Sequence, residues 1–367
     1  RPHAFVLRTS SHHFCFCQAR RHVNPWSSES RTNLGPTAKM ETVMFRKALF
    51  LAATAALLTA PAMAQRVFPV AEKPEMTDHF PVQPVLFPKG VKAYRDVIYQ
   101  QLPGYTPQVV DIYVPATKGP HPLVLYIHGG GWVGGHTRHS GALANFPAVL
   151  ASLAAEGFVV ASLEYRLSAE AKFPAQLQDA KASLRFLGTE AAKYRIDTSR
   201  VGIWGGSAGG HLTALAALTC KDTNLDPAAA KDLCANAAVT WYGVFDFGAL
   251  AAARAGGVDD AAERLMDCGG RCSAEKYAYA SPVTYIDAKD PPFLLIHGTE
   301  DKVVPISQSY EAEKRLRAAG VPVQVLYLPG VDHSFIGSTP AQTRDATLKA
   351  TNATFDFFHA RLRAPRR

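Results

Sequence analysis

A serine enclosed by small residues is the part of this sequence best suited to chemistry. Residues 205–209 read Gly-Gly-Ser-Ala-Gly, between an apolar run that ends at Trp204 and an Ala- and Leu-rich stretch. This pattern predicts a strand, a tight turn and a helix. Small neighbours let strand and helix approach closely, so the turn lifts the hydroxyl of Ser207 above the sheet. The motif predicts a nucleophile for an ester carbonyl, with an ordinary glycine-rich loop as the alternative.

A serine hydroxyl is a weak nucleophile unless a base takes its proton and an acid orients that base. His333 follows the last apolar run of the strand type, and Asp301 follows the run before it. Catalytic groups of open α/β sheets collect at the carboxyl ends of strands, so we expect both residues near Ser207. Ser207, Asp301 and His333 are therefore the predicted catalytic residues. Three other carboxylates compete for the role of the acid: Asp246, Glu300 and Asp332.

Consecutive glycines could supply backbone donors for a developing negative charge. They lie in the run His-Gly-Gly-Gly-Trp at 128–132. Glycine lets the chain turn its N–H groups inward without a Cβ clash, and donors aimed in advance stabilise a transition state. We expect the N–H groups of Gly130, Gly131 and Ala208 to form an oxyanion hole, with a tight turn as the alternative. The run lacks the spacing of a phosphate-binding loop, so no nucleotide is predicted, and acyl transfer by a serine, a histidine and an aspartate implies no metal or other cofactor.

The elements that must position these residues alternate between strand and helix from residue 123 onward. This alternation predicts an α/β fold with a mostly parallel sheet covered by helices on both faces. Strands are predicted at 93–99, 109–114, 123–127, 158–163, 200–204, 238–242, 293–296 and 323–327. Helices are predicted at 142–156, 175–194, 208–218, 307–319 and 342–360.

One long segment, residues 243–290, interrupts the alternation just before the strand that leads to Asp301. It contains one helical stretch, around 261–266. Long insertions in α/β domains are often functional, so we expect a lid or part of a substrate pocket, with a surface excursion as the alternative. Four aromatic residues near strand ends are candidates for lining that pocket: Trp132, Tyr242, Phe245 and Phe335.

The first 90 residues differ from the rest. Residues 1–43 lack periodicity, and their scattered Cys and His do not have zinc-finger spacing, so we interpret them as upstream translation outside the native protein. Residues 44–64 combine a basic start, an apolar stretch and Ala-Met-Ala, the pattern of a signal peptide. Residues 65–90 are proline-rich and predict an extended arm before a catalytic domain at 91–367.

Removal of a signal peptide changes the charge of the chain. The full sequence carries a formal charge of +8, but residues 1–64 hold eight basic and two acidic residues, which leaves +2 for the remainder. Nothing in that remainder indicates binding to nucleic acid or to a membrane surface. The expected partner is a small-molecule or carbohydrate-linked ester.

Four cysteines remain after residue 64, an even number in a chain expected to be exported to the periplasm or beyond. Disulfides are expected in such a compartment. The pairs Cys220–Cys234 and Cys268–Cys272 are favoured because each is close in sequence and brackets a loop. Metal binding by the second pair is the alternative.

Together, the four motifs at 128–132, 205–211, 298–301 and 332–335 resemble the α/β-hydrolase superfamily. Within it the chain is similar to the bacterial feruloyl-esterase-like branch, which is related to the hormone-sensitive-lipase esterases. The segments 164–167 and 173–179 share this similarity. Gly206 departs from the Asp that often precedes the serine in the lipase-like relatives, which favours the feruloyl-esterase-like branch over a preference for lipid esters.

The resemblance implies a serine carboxylic-ester hydrolase that works through an acyl-enzyme, on short-chain, aryl or feruloyl esters or on acetylated carbohydrates. Two other functions stay open. One is a peptidase or arylformamidase on the same fold, since the triad does not select the leaving group. The other is a binding module without turnover.

Overall fold

The computed structural model describes residues 84–254 and 260–363. A nine-stranded sheet runs through this part of the chain, with strand order β1-β2-β3-β5-β4-β6-β7-β8-β9. The strands are β1 (Val85–Leu86), β2 (Lys92–Gln100), β3 (Gln108–Val114), β4 (His121–Ile127), β5 (Val159–Leu163), β6 (Ile196–Gly206), β7 (Ala237–Trp241), β8 (Phe293–Gly298) and β9 (Val323–Leu328).

The sheet is antiparallel at one edge and parallel elsewhere. Strands β1, β2, β3 and β5 pair antiparallel, whereas every pairing from β5 through β4 and on to β9 is parallel. Every residue of β4 and β5 is buried, as expected for strands covered on both faces. The predicted α/β-hydrolase type of sheet is confirmed, and the carboxyl ends of β4, β6, β8 and β9 meet along one edge.

Helices cover both faces. They are α1 (Phe146–Ala155), α2 (Ala175–Thr189), α3 (Ala191–Tyr194), α4 (Ala208–Leu218), α5 (Phe247–Ala253), α6 (Asp260–Met266), α7 (Ala274–Ala280), α8 (Ser307–Ala318) and α9 (Pro340–Leu362). Side chains of α1 and α9 pack in one buried cluster with Trp204 and Trp241. Side chains of α2, α4 and α8 pack in a second cluster on the opposite face. No helix among the described residues has the length and apolar character needed to span a bilayer.

The structure corrects several predicted boundaries. Helix α1 begins at Phe146 and not at 142, because Asn145 caps it through the N–H of Ala148. The helix predicted at 175–194 is divided at Glu190, the residue between α2 and α3. The strand predicted at 200–204 runs from 196 to 206.

Residues 243–290 hold more structure than the sequence predicted. Besides the predicted helical stretch, which is α6, they contain α5 and α7. Strand β1 lies within the segment expected to be an extended arm, since Val85 pairs with Ala93. The earlier part of the arm, the proposed signal peptide and the upstream segment lie outside the described residues.

Both favoured disulfides are present, Cys220–Cys234 and Cys268–Cys272. The first joins the two ends of the connection between α4 and β7. The second lies between α6 and α7, so it is part of the insertion.

Candidate active site

Ser207 lies at the turn between β6 and α4, as predicted. Its backbone angles are φ 55° and ψ −121°, a conformation that non-glycine residues rarely adopt and that costs conformational energy. The turn is possible because neighbouring backbone segments are very close. A Cβ atom on Gly209 would lie 2.0 Å from the carbonyl oxygen of Ile127, so helix α4 can start here only with glycine at that position.

The structure brings the three predicted catalytic residues together. The Oγ atom of Ser207 lies 3.0 Å from Nε2 of His333, and Nδ1 of His333 lies 2.8 Å from Oδ2 of Asp301. Asp301 follows β8 and His333 follows β9, so the adjacent parallel strands β8 and β9 deliver the acid and the base to one edge of the sheet. Hydroxyl, imidazole and carboxylate therefore form a continuous chain of hydrogen-bonding contacts.

Asp301 is surrounded by donors. Its Oδ1 atom accepts the backbone N–H groups of Val303 and Val304, at 2.9 and 2.8 Å. Burial acts to raise the pKa of the Asp301 carboxyl, but the hydrogen bonds from His297 and His333 outweigh it and hold that pKa well below its ordinary value. Asp301 is thus an anion facing His333 at neutral pH.

The three competing carboxylates have other contacts. Asp332 accepts the backbone N–H groups of Lys302 and His333. Asp246 accepts the N–H of Ala249 and caps α5. Glu300 is exposed.

The glycine run lies directly against the serine turn. A Cβ atom on Gly129 would lie 2.7 Å from the carbonyl oxygen of Gly206 and 3.3 Å from Cβ of Ser207. Gly130 and Gly131 have φ values of 116° and 60°, and both line the same cavity as Ser207. Ala208 is the first residue of α4, where helical N–H groups have no partner within the helix.

The sequence did not predict the hydrogen bonds of His211. The indole N–H of Trp132 donates to Nδ1 of His211, 3.2 Å away, and Nε2 of His211 donates to the carbonyl of Ala280 at 2.8 Å. His211 is fully buried, and burial lowers its pKa to about 4. This neutral histidine ties the glycine run, helix α4 and the insertion together. The sequence signal was its position in the first turn after Ser207, which indicated packing or capping only.

A cavity of about 780 Å³ opens over Ser207 and His333. Trp132 and Tyr242 line it, together with Gly130 and Gly131. Phe245 and Phe335, the other two aromatic candidates, are not among its lining residues; both lie in the buried core. Phe335 packs edge-on against Trp241 and Tyr242, with ring centroids 5.2 and 4.8 Å apart.

The insertion forms part of the cavity wall. Val244, Arg254 and Ala261 all line the cavity. The insertion is also joined to the segment before α2, because the N–H of Phe173 donates to the carbonyl of Leu265 over 2.8 Å. The structure therefore favours a pocket wall over a surface excursion.

Within residues 84–254 and 260–363, no three His, Cys, Asp or Glu side chains are grouped as metal ligands would be.

The order and direction of the strands, with Ser207, His333 and Asp301 in contact at one edge of the sheet, define an α/β-hydrolase fold. The family model BD-FAE matches residues 110–316, more than half of the chain, and the chain belongs to that family. The matched region includes Ser207 and Asp301 and ends before His333.

Curated relatives include several from Mycobacterium tuberculosis. The chain is 34% identical to the probable carboxylic ester hydrolase LipM over 61% of its own length and 52% of the relative. It is 33% identical to the esterase LipC over 66% of its own length and 59% of the relative. The chain thus matches little more than half of the length of these relatives.

Solved structures show the same fold. A truncated carbohydrate esterase from gut microbiota superposes with a TM-score of 0.60 and 26% identity, over 73% of this chain and 95% of the other. A bifunctional GH43-CE protein of Bacteroides eggerthii gives a TM-score of 0.60 and 31% identity, over 74% of this chain and 35% of the other.

Proposed function

We propose that this protein is a carboxylic-ester hydrolase in which Ser207, His333 and Asp301 form a catalytic triad. The observation that carries the proposal is the contact of 3.0 Å between Oγ of Ser207 and Nε2 of His333, combined with the contact of 2.8 Å between His333 and Asp301. These distances suit proton transfer from the hydroxyl to the imidazole. The ester-hydrolase names of the relatives support the same activity.

The reaction has two steps. His333 takes the proton of Ser207 while Oγ attacks the ester carbonyl, and Asp301 holds the proton on Nδ1 and stabilises the imidazolium. His333 then protonates the leaving alcohol as the tetrahedral intermediate collapses to the acyl-enzyme. In the second step His333 activates water, which attacks the acyl carbon and releases Ser207.

The negative charge on the carbonyl oxygen needs preorganised donors. The N–H groups of Gly130, Gly131 and Ala208 are assigned this role, because the glycine run lies against the serine turn and faces the same cavity. One such donor typically contributes on the order of 3 kcal/mol to transition-state stabilisation. No metal or cofactor enters this scheme.

The cavity supports a range of ester substrates. Its walls include the aromatic residues Trp132 and Tyr242, together with Ser140 and Ser334. Such a surface accepts an aryl group or a carbohydrate ring as well as a short acyl chain. We therefore propose short-chain, aryl or feruloyl esters, or acetylated carbohydrates; the solved relative described as a carbohydrate esterase supports this range.

We also propose that the protein is exported. Two disulfides join its cysteines after residue 64, and disulfides persist mainly in oxidising compartments. Residues 44–64 have the pattern of a signal peptide. Amino-terminal sequencing of the exported protein should find a start near residue 65; an unprocessed cytoplasmic product contradicts the proposal.

The activity is tested with a panel of p-nitrophenyl acetate, butyrate and octanoate, methyl ferulate, an acetylated xylo-oligosaccharide, and an amide of matched structure. Ser207→Ala should abolish hydrolysis and labelling by a fluorophosphonate. Ser152→Ala, which removes an exposed hydroxyl on α1 away from the cavity, should keep both. Full activity of Ser207→Ala would exclude the proposed nucleophile. Preference for the amide would identify a peptidase or arylformamidase, and folded protein without labelling or turnover would identify a binding module.

A further inference from the structure

A second histidine contacts the acid of the proposed triad. His297 lies at the end of β8, four residues before Asp301, and its side chain is completely buried. Its Nε2 atom is 3.2 Å from Oδ2 of Asp301 and 2.8 Å from the carbonyl oxygen of Val304. On the other side of the ring, Nδ1 lies 2.7 Å from Oγ of Ser309 in α8. Both nitrogens of this buried ring are therefore engaged.

These contacts determine which nitrogen carries the proton. The carbonyl of Val304 and the carboxylate of Asp301 can only accept hydrogen bonds, so Nε2 must be the donor. On the opposite side of the ring, Nδ1 shares a hydrogen bond with the hydroxyl of Ser309, which can donate or accept. His297 thus presents an N–H between Val304 and Asp301, whichever way the bond to Ser309 points.

As a result, two imidazole rings contact the same oxygen of Asp301. Oδ2 faces Nδ1 of His333 at 2.8 Å and Nε2 of His297 at 3.2 Å, while Oδ1 is occupied by two backbone N–H groups. We propose that His297 is a positioning residue, which acts through Asp301 on the orientation and the basicity of His333. This inference rests on the proposed function, since it assigns a role within that triad.

The proposed effect has two parts. First, the N–H of His297 fixes the rotation of the carboxylate, so that Oδ2 points at His333 even before substrate binds. Second, it withdraws part of the negative charge of Oδ2 from His333. Without His297 the full charge of Asp301 faces His333 and stabilises the imidazolium, so the acidic limb of the activity profile should lie at a higher pH than in the wild-type protein.

Other charged and titratable groups near this pair remain in place when His297 is changed. Asp332 and Lys302 form an exposed ion pair of 3.7 Å beside His333. Tyr242 packs against the ring of His333, with centroids 4.6 Å apart, and Arg254 lines the cavity from the insertion. The side chain of His297 itself contacts Asp301, Val304 and Ser309, so a change in the pH profile of a His297 variant reports on the contact with Asp301.

Two amide substitutions distinguish the role of Nε2 of His297 from that of Nδ1. In His297→Gln the amide nitrogen reaches the position of Nε2, toward Asp301 and Val304. In His297→Asn it reaches only the position of Nδ1, toward Ser309, so the donor to Asp301 is lost. Ser309→Ala is the matched control, because it disturbs the same buried ring without removing that donor. His297→Leu is a second variant without the donor, for use if the asparagine variant does not fold.

The experiment measures kcat and KM for p-nitrophenyl acetate between pH 5 and pH 9, with melting temperatures as a check of folding. We expect His297→Asn to lower kcat about tenfold with KM unchanged, since misplaced catalytic groups act mainly on the chemical step. The ratio of kcat/KM at pH 8 to that at pH 6 should rise about threefold, which corresponds to a shift of the acidic limb by about half a pH unit. His297→Gln should restore both values, and Ser309→Ala should keep the wild-type pH profile.

Three outcomes overturn the inference: a folded His297→Asn protein with the wild-type rate and pH profile, an equal loss in His297→Asn and Ser309→Ala without a change of profile, or a profile shifted to lower pH. A failure of the proposed function looks different. In that case the wild-type protein does not hydrolyse the ester, or Ser207→Ala retains its activity, before any His297 variant is compared.

Discussion

The ring of Tyr242 covers the α-carbon of Gly206, the residue before Ser207. A Cβ atom on Gly206 would lie 3.2 Å from both Cε2 and Oη of Tyr242, closer than side chains normally pack. The same ring contacts His333, with centroids 4.6 Å apart. This contact gives a physical reason for glycine at a position where lipase-like relatives often have Asp: the tyrosine occupies the space that a side chain would need.

The first prediction follows from that contact. Gly206→Ala should force Tyr242 to move, at a cost of about 1–3 kcal/mol in the free energy of unfolding, and should lower kcat because the displaced ring presses on His333. Gly134→Ala is the control: Gly134 lines the same cavity, and a Cβ atom there would contact nothing within 4 Å. Thermal melts and ester kinetics of both variants test the prediction. Equal behaviour of the two variants would contradict it.

The second prediction concerns Asp301, the acid of the proposed triad. Asp301→Asn should lower kcat by about 10³–10⁴-fold, because the amide no longer stabilises the imidazolium and favours the wrong tautomer of His333. Asp332→Asn should keep most activity, since an amide oxygen can still accept the two backbone N–H groups that Asp332 binds. Comparable losses in both variants would mean that the acid has been misassigned.

The depressed pKa of Asp301 also makes a prediction about stability. A carboxyl whose pKa is lower in the folded state stabilises the fold above its unfolded value, near 4, and loses this contribution as the pH falls further. The wild-type protein should therefore be more stable than Asp301→Asn at pH 7, with a difference that narrows below about pH 4. Urea titrations at pH 7, 4 and 3 measure this difference; a gap that widens in acid is incompatible with the argument.

The buried carboxyl of Asp290 should make the stability of the fold depend on pH in the opposite direction. Burial raises the pKa of its carboxyl to about 7, so the protonated form stabilises the fold at low pH and this contribution is lost as the pH rises from about 4 to 7. Asp290→Asn stays neutral and can still accept the N–H of Asp287. It should melt at the wild-type temperature at pH 4 and above it at pH 8. Asp356→Asn, on the exposed face of α9, should show no such trend.

The fifth prediction concerns the different effects of the two disulfides on stability and kinetics. Cys220 and Cys234 are 14 residues apart, so the loss of their bond should cost about 3 kcal/mol by the chain-entropy model, with little effect on kcat. Cys268 and Cys272 are only 4 residues apart, for which the same model gives about 2 kcal/mol. Their bond lies in the insertion that lines the cavity, so its removal should also change KM. Double Cys→Ser variants, studied by melting and by kinetics, distinguish the two cases.

Much of this molecule follows from local sequence. Helix α4 begins and ends at the predicted residues, because the strand-turn-helix signal around Ser207 is made of neighbouring residues with strong propensities. The partners of Ser207 could be predicted as well, since the parallel arrangement of strands brings residues that follow different strands to one edge of the sheet. The disulfide pairs followed from their short separations.

Other features depended on contacts between distant residues. Periodicity suggested one helix in the insertion, but its described residues form three, because their short apolar faces are buried only against the rest of the domain. Phe245 and Phe335 looked like pocket residues beside strand ends, yet packing places them in the core.

The sequence by itself determined the fold class and the chain order of the loops that carry the candidate site residues. It also determined the identity of the serine, histidine and aspartate that the structure brings together. Only the tertiary structure showed which side chains line the cavity and that Tyr242 occupies the space beside Gly206. Only the tertiary structure showed that both His297 and His333 contact Asp301. The reason is physical. Propensity and periodicity act over a few residues, whereas Tyr242 meets Gly206 only after β6 and β7 have paired, and Asp301 contacts His333 as well as His297 only after β8 and β9 have paired.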